Sequence, residues 1–105
     1  MPYDYEELDL PKWFHFDLIH NVERLALPEF FKEDNPELTP ENYKTYRNYM
    51  INTYKENPDY YLTISACKSK LDVDLVELVR IHSFLESHNL INSRVSNMIF
   101  VYNFM

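Results

Sequence analysis

Apolar side chains recur at helical spacing over much of the chain, and the longest stripe lies in its middle. Its members fall three or four positions apart. They are Tyr43, Tyr46, Arg47, Met50, Ile51 and Tyr54. Thr39 supplies a capping hydroxyl, Pro40 fits the first helical position, and Glu41 is an acid near the positive end of the dipole. We therefore predict one helix of about 18 residues, about 27 Å long, which ends at Asn57-Pro58 and spans the domain.

A shorter helix is predicted before the long one. Asp17 is placed to cap this helix, and Pro28 ends or bends it. The apolar face predicted for the helix consists of Leu18, Ile19, Val22, Leu25 and Ala26. Residues 29–31 are expected to form a single helical turn that places two phenylalanine rings in the core.

Two further helices are predicted in the second half of the chain. Thr63 caps a short one over residues 64–69, and a break at residues 70–72 leads to another over residues 73–88. Apolar side chains cover more than one stripe of the latter, so we expect it to be buried on two sides. Asn89 stands where glycine would usually close a helix, which predicts a positive φ at this position.

The two ends of the chain differ from the middle. Residues 1–12 are acidic and lack helical periodicity, so they are expected to form a tail before a domain that starts at Trp13 and ends at residue 92. Residues 93–105 form an apolar, β-prone tail. It would pair with a strand of a partner, pack on the domain, or lie outside the fold, and the ordinary behaviour of termini favours the last two.

The chain contains no glycine. A P-loop, a dinucleotide-binding turn and a nucleophile elbow each need a residue without Cβ, so all three are excluded. Architectures built from tight hairpins are disfavoured for the same reason. Codon bias would also produce a chain without glycine, but these exclusions hold whatever the cause of the absence. The length of 105 residues fits one domain with a core of its own.

Charge is unevenly distributed along the chain. The net charge is −7, from 10 basic and 17 acidic residues. Residues 1–41 carry −8, residues 42–71 carry +3 and residues 72–105 carry −2. An overall acidic protein is a poor general binder of nucleic acid, so any anionic partner should meet the middle third.

The reactive side chains predict neither a metal site nor an enzyme. The four histidines lack metal-ligand spacing, and the single cysteine, Cys67, forms no internal disulfide. Cys67 with His82 as base would need an oxyanion-stabilising loop that the sequence lacks, so we expect His82 to be a hydrogen-bonded structural residue. The sequence also lacks an apolar run long enough to span a membrane and the basic flank of a signal peptide, so the chain is expected to be soluble and intracellular.

Several short motifs follow one another in order between residues 13 and 92. They are Trp13-Phe14, Leu27-Pro28-Glu29-Phe30-Phe31, Thr39-Pro40-Glu41, Tyr46-Arg47-Asn48, Asn57-Pro58, Tyr61-Leu62-Thr63, Ala66-Cys67 and Arg80-Ile81-His82-Ser83-Phe84-Leu85-Glu86. Together they resemble the SWIRM domain, in the form found in scaffold subunits of SWI/SNF and RSC-type chromatin remodellers.

The resemblance implies an all-α fold, a compact bundle of short helices around one long central helix with a helix-turn-helix-like C-terminal part. It implies a non-catalytic, nuclear protein–protein interaction module without a cofactor or small-molecule substrate, which acts in transcription regulation. The implied partner is the SNF-type core subunit of a remodelling complex, and some members of the family bind DNA or nucleosomes. The SANT and zipper regions of such a scaffold are missing from this sequence.

Lys68, Lys70 and Arg80 are the candidate DNA contacts, because they lie on or beside the expected helix-turn-helix. The alternative is a solvated, salt-bridged face, since three acids start the last helix and would repel phosphate. These acids are Asp72, Asp74 and Glu77. The resembled subgroup usually has a second basic residue at Ser69 and glycines at Val73 and Asn89, so the basic surface here is thinner.

Other residues are expected to serve the fold or a protein partner. Arg47 lies on the apolar stripe, which predicts an ion pair with a carboxylate inside the fold. Tyr60 and Tyr61 fall in a loop and are the candidate anchors for a partner, because tyrosine is favoured at interfaces.

Overall fold

The computed structural model describes residues 9–95 of the chain. Within this range the protein forms four α-helices and one short 3₁₀ turn, and it contains no β-strand. They are α1 (Asn21–Ala26), the 3₁₀ turn (Pro28–Phe30), α2 (Pro40–Glu56), α3 (Ile64–Lys68) and α4 (Leu75–Ser87). The predicted all-α architecture is confirmed. The predictions for residues 1–8 and 96–105 lie outside the described residues.

Helix α2 is the predicted central helix. The hydroxyl oxygen of Thr39 accepts a hydrogen bond from the backbone N–H of Asn42 at 3.0 Å, and Pro40 occupies the first turn. The predicted stripe is buried, except that Tyr46 is only partly covered. The other helices and the 3₁₀ turn supply the rest of the core around α2. Its main contributors are Leu27, Phe30, Cys67, Leu78, Ile81, Leu85, Leu90 and Ile91.

An ion pair deep in this core joins α1 to α2. A guanidinium nitrogen of Arg47 lies 2.7 Å from a carboxylate oxygen of Glu23, and both side chains are 0% exposed. The same oxygen accepts a hydrogen bond from the Tyr43 hydroxyl at 2.6 Å. Burial raises the pKa of Tyr43, and the bond to the carboxylate raises it further. The predicted role of Arg47 is confirmed.

The remaining donors of Arg47 hold the segment that precedes α1. Its terminal nitrogens donate to the backbone carbonyls of His15, Phe16 and Leu18 at 2.7–3.0 Å. Its Nε donates to the side chain of Asn48 at 2.9 Å. All five N–H groups of the guanidinium therefore have a partner. No buried side-chain nitrogen or oxygen within residues 9–95 lacks one.

Helix α1 differs from its prediction at its start and in its buried face. His20, rather than Asp17, caps the helix. The Nδ1 of His20 accepts a hydrogen bond from the Val22 N–H at 3.1 Å, and the backbone N–H of His20 donates to the Glu23 carboxylate at 2.8 Å. Leu18 and Leu25 are 63% and 82% exposed. Ile19 and Val22 of the predicted face do pack against the core. The prediction was wrong for the other three, Leu18, Leu25 and Ala26, because the helix begins at Asn21 and turns Glu23 inward instead.

Helix α4 is buried on one side only, so the prediction of two buried sides was wrong. Its buried residues are Leu78, Ile81, His82, Phe84 and Leu85. Leu75, Val76 and Val79 lie outside this buried side, and all three are exposed. Among residues 9–95, nothing buries these three side chains. The helix also begins at Leu75 rather than at Val73, which is buried in the bend before it.

Buried polar contacts fix the chain around α3 and α4. Thr63 caps α3 as predicted, accepting from Ala66 at 3.0 Å. The carbonyl of Leu62 lies 2.8 Å from Nε2 of His82 and 3.2 Å from Nδ2 of Asn92, whose Oδ1 accepts from the Leu62 N–H at 2.7 Å. The structural role predicted for His82 is confirmed.

Asn89 ends α4 in the left-handed conformation, with φ of 62°. The N–H of Leu90 donates to the carbonyl of Leu85 at 2.8 Å, and that of Asn89 donates to Glu86 at 3.1 Å. This pair of bonds is the Schellman arrangement, which favours glycine or asparagine. The predicted conformation of Asn89 is confirmed, and Val73 is not among the positive-φ residues within 9–95.

Substituting Arg47 by methionine should destabilise the domain by about 3–5 kcal/mol, because Glu23 would be left buried without its counter-charge. The urea midpoint of unfolding measures this loss. The double variant Glu23→Gln/Arg47→Met should be less destabilised, since no unpaired charge is left. Arg24→Met, at an exposed arginine over the Phe31 ring, is the control and should cost less than about 1 kcal/mol. Equal midpoints for Arg47→Met and Arg24→Met would contradict the prediction.

Asn89→Gly should leave thermal stability nearly unchanged, whereas Asn89→Val should cost about 1–2 kcal/mol. The side chain of Asn89 is exposed, so the difference reports the backbone conformation and not a lost contact. Thermal unfolding followed by circular dichroism measures both variants. A valine variant as stable as the glycine variant would show that this left-handed position is unimportant.

Candidate functional site

Two of the three predicted DNA-contacting cations lie beside the turn that joins α3 to α4. Lys68 is the last residue of α3 and Lys70 follows in the turn, and both are exposed. Neither forms a salt bridge within residues 9–95. Their ammonium groups are therefore accessible to an anionic partner.

Arg80, the third predicted cation, is engaged by the protein itself. Its Nε and Nη2 bind the two carboxylate oxygens of Glu29 at 2.5 and 2.9 Å, and Nη2 also donates to the carbonyl of Ala26 at 2.9 Å. The bond to Arg80 lowers the pKa of Glu29, and the bond to Glu29 raises that of Arg80. A DNA phosphate would have to compete with Glu29 for this guanidinium.

An acidic cleft lies between the start of α4 and the loop before α2. Its carboxylates come from Asp72, Asp74 and Glu77, which the sequence indicated, and from Glu37, which only the fold brings there. Tyr46 forms part of the wall, and its hydroxyl donates to the backbone carbonyl of Asp72 at 3.3 Å. Burial raises the pKa of Tyr46, and the nearby carboxylates add to the effect. The cleft favours cations over phosphate.

An exposed apolar stripe on α4, formed by Leu75, Val76 and Val79, is the feature that sequence reasoning missed. The three side chains are 55%, 67% and 37% exposed. The signal was present in the sequence, because at 3.6 residues per turn these three positions share an arc of roughly 100° that excludes Leu78, Ile81 and Leu85. The sequence predicts a second buried side there, whereas the domain leaves this apolar side exposed.

The two predicted partner anchors differ in availability. Tyr60 is 72% exposed. Tyr61 is partly buried, with its ring 6.0 Å from that of His82, and its hydroxyl donates to Glu86 at 3.0 Å. Burial, with a contribution from Glu86, raises the pKa of Tyr61 to about 12. Tyr60 therefore presents its ring outward, whereas Tyr61 serves the packing of α4.

Cys67, His20 and His88 take part in packing. Cys67 is fully buried, and burial raises the pKa of its thiol to about 11, so the thiolate is scarce at neutral pH. His20 and His88 flank the ring of Trp13 at 5.5 and 5.8 Å. Residues 9–95 contain no group of three or more acidic, histidine or cysteine side chains suited to a metal ion. In the same part of the chain, every helix is too short or too polar to cross a membrane.

Comparison with known proteins gives matches along most of the chain. The SWI/SNF and RSC complexes subunit ssr2 of Schizosaccharomyces pombe is 45% identical over 83 residues, covering 79% of this chain and 16% of the relative. The SWI/SNF complex subunit SWI3 of Saccharomyces cerevisiae is 41% identical, covering 82% of this chain and 10% of the relative. The SWI/SNF complex subunit SWI3C of Arabidopsis thaliana is 38% identical, covering 76% of this chain and 10% of the relative. The chain thus spans about a tenth to a sixth of the length of these relatives.

A model of the SWIRM domain matches residues 10–93, which include all five helical elements and both the acidic cleft and the apolar stripe. Leu10, at the start of the match, packs against the core. The chain belongs to the SWIRM domain family.

Proposed function

We propose that this domain is a non-catalytic protein–protein interaction module in a subunit of a nuclear SWI/SNF-like chromatin-remodelling complex, where it acts in transcription regulation. The observation that carries the proposal is the SWIRM match over residues 10–93, shared with proteins named as SWI/SNF complex subunits. The side-chain chemistry agrees with it. Cys67 is buried in the core and His82 is hydrogen-bonded to the carbonyl of Leu62, so neither side chain is arranged as a catalytic nucleophile or base.

The proposed partner is the SNF-type core subunit of the complex. The predominantly acidic character of the domain favours a protein over nucleic acid as its principal ligand. Tyr60 supports this assignment, because an outward tyrosine ring offers large contact area at low cost in conformational entropy.

The full chain should bind a purified SNF-type core subunit in isothermal titration calorimetry, and Tyr60→Ala should weaken that binding roughly tenfold. Tyr61→Phe, which keeps the ring and loses the hydroxyl bond to Glu86, is the control and should bind as the parent chain does. Absence of binding by a chain that circular dichroism shows to be folded would refute the partner assignment. Equal affinities for Tyr60→Ala and Tyr61→Phe would refute the anchor alone.

DNA or nucleosome binding is the second candidate function, and the exposed, unpaired state of Lys68 and Lys70 within residues 9–95 favours it. If it holds, mobility-shift affinity for duplex DNA should fall steeply with salt, and Lys68→Glu/Lys70→Glu should abolish the shift. Arg80→Gln should have less effect, because Glu29 already neutralises that side chain. Salt-independent binding, or binding unaffected by the double reversal, would remove this candidate.

A further inference from the structure

We propose that the apolar stripe of α4, with the acidic cleft at the start of that helix, is the docking face for the core subunit, and that its occupant is a segment carrying apolar side chains flanked by lysine or arginine. This inference rests on the proposed function, since it names the face and the chemistry of the same partner. It is argued from an open helix face and from the charges around that face.

The stripe is an unusual surface for a small domain. Leu75, Val76 and Val79 lie within two turns of one helix and face away from the core. Exposed apolar side chains gathered on one helix face mark interaction sites, whereas single exposed leucines such as Leu18 need no such explanation. Burying the stripe against an apolar partner would remove this surface from water.

The carboxylates at the start of α4 favour a partner segment with basic side chains. Asp74 caps α4 by position but forms no capping hydrogen bond, so its carboxylate is available to a ligand. Asp72 precedes it, and Glu37 and Glu77 line the same cleft. Arg80 adds little compensating positive charge for an incoming ligand, because both carboxylate oxygens of Glu29 bind its Nε and Nη2. Basic side chains flanking an apolar anchor complement this arrangement.

Other occupants fit the face less well. A second copy of the chain would bring the same carboxylates against each other across a two-fold interface. Residues 96–105 are apolar but contain no lysine or arginine, so they leave the carboxylates uncompensated. DNA would place phosphates against Asp72, Asp74 and Glu77.

Calorimetry with the full chain and the purified core subunit tests the apolar part of the face. Val76→Gln/Val79→Gln removes the apolar surface without a charge, in a helix that tolerates glutamine, and should lower affinity at least roughly tenfold. Leu18→Gln makes the same kind of change at an exposed apolar residue outside the stripe and should bind within roughly twofold of the parent chain. Circular dichroism should show equal helix content in all of these chains.

A charge reversal tests the acidic part. Asp74→Lys should weaken binding roughly three- to tenfold and flatten its salt dependence, whereas Glu56→Lys, at the exposed far end of α2, should do neither. Carbodiimide cross-linking of the parent complex should join Asp74 or Glu77 to lysines of the core subunit. Cross-links confined to carboxylates elsewhere would overturn the proposal.

The outcomes separate this inference from the function on which it rests. Failure of the folded parent chain to bind the core subunit would overturn both. Binding that the glutamine pair and Asp74→Lys leave unchanged would overturn the docking face and leave the proposed function standing. A dimer of the parent chain that the glutamine pair dissociates, or DNA binding that the pair abolishes, would assign the stripe to those occupants and overturn the proposal.

Discussion

The fold depends on the need to satisfy every donor of one buried arginine. Arg47 lies in the centre of α2, where five N–H groups and a positive charge would be costly without partners. Glu23 supplies the counter-charge, and carbonyls of the segment before α1 supply most of the remaining acceptors. The resulting net stabilisation is smaller than the contacts suggest, because desolvation offsets much of the Coulomb attraction. Its larger effect is specificity: few arrangements of that segment bring these acceptors to one guanidinium.

Other features of the N-terminal half follow from this constraint. Because Glu23 must face α2, α1 turns its only buried side chain inward at that position, and Leu25 is left on the surface. His20 then takes the cap, since the Glu23 carboxylate can also accept its backbone N–H. Phe14 packs against the same guanidinium, with its ring centre 4.8 Å away. One ion pair thus orients the entry segment, α1 and the aromatic side chains around them.

The second half of the domain carries a surface whose charge is unfavourable for DNA. Helices α3 and α4 form the helix-turn-helix-like pair, and Lys68 and Lys70 lie accessible at its turn. The start of α4, where a recognition helix would approach phosphate, instead carries carboxylates beside an exposed apolar stripe. The carboxylate of Glu29 neutralises the positive charge of Arg80. The carboxylates at the start of α4 therefore disfavour phosphate at that surface.

Signals that act over one or two helical turns could be interpreted from the sequence alone. Thr39-Pro40 and Thr63 start helices, Asn89 ends one in the left-handed conformation, and the period of α2 identified Arg47 as a buried charge, because each depends on neighbouring residues. The tertiary structure decided which side of a helix meets the core. Glu23 rather than Leu25 is buried, Arg80 reaches Glu29 across 51 positions, and one of two apolar sides of α4 stays open. Periodicity shows that a side is apolar, but only the packing of distant elements determines whether anything covers it.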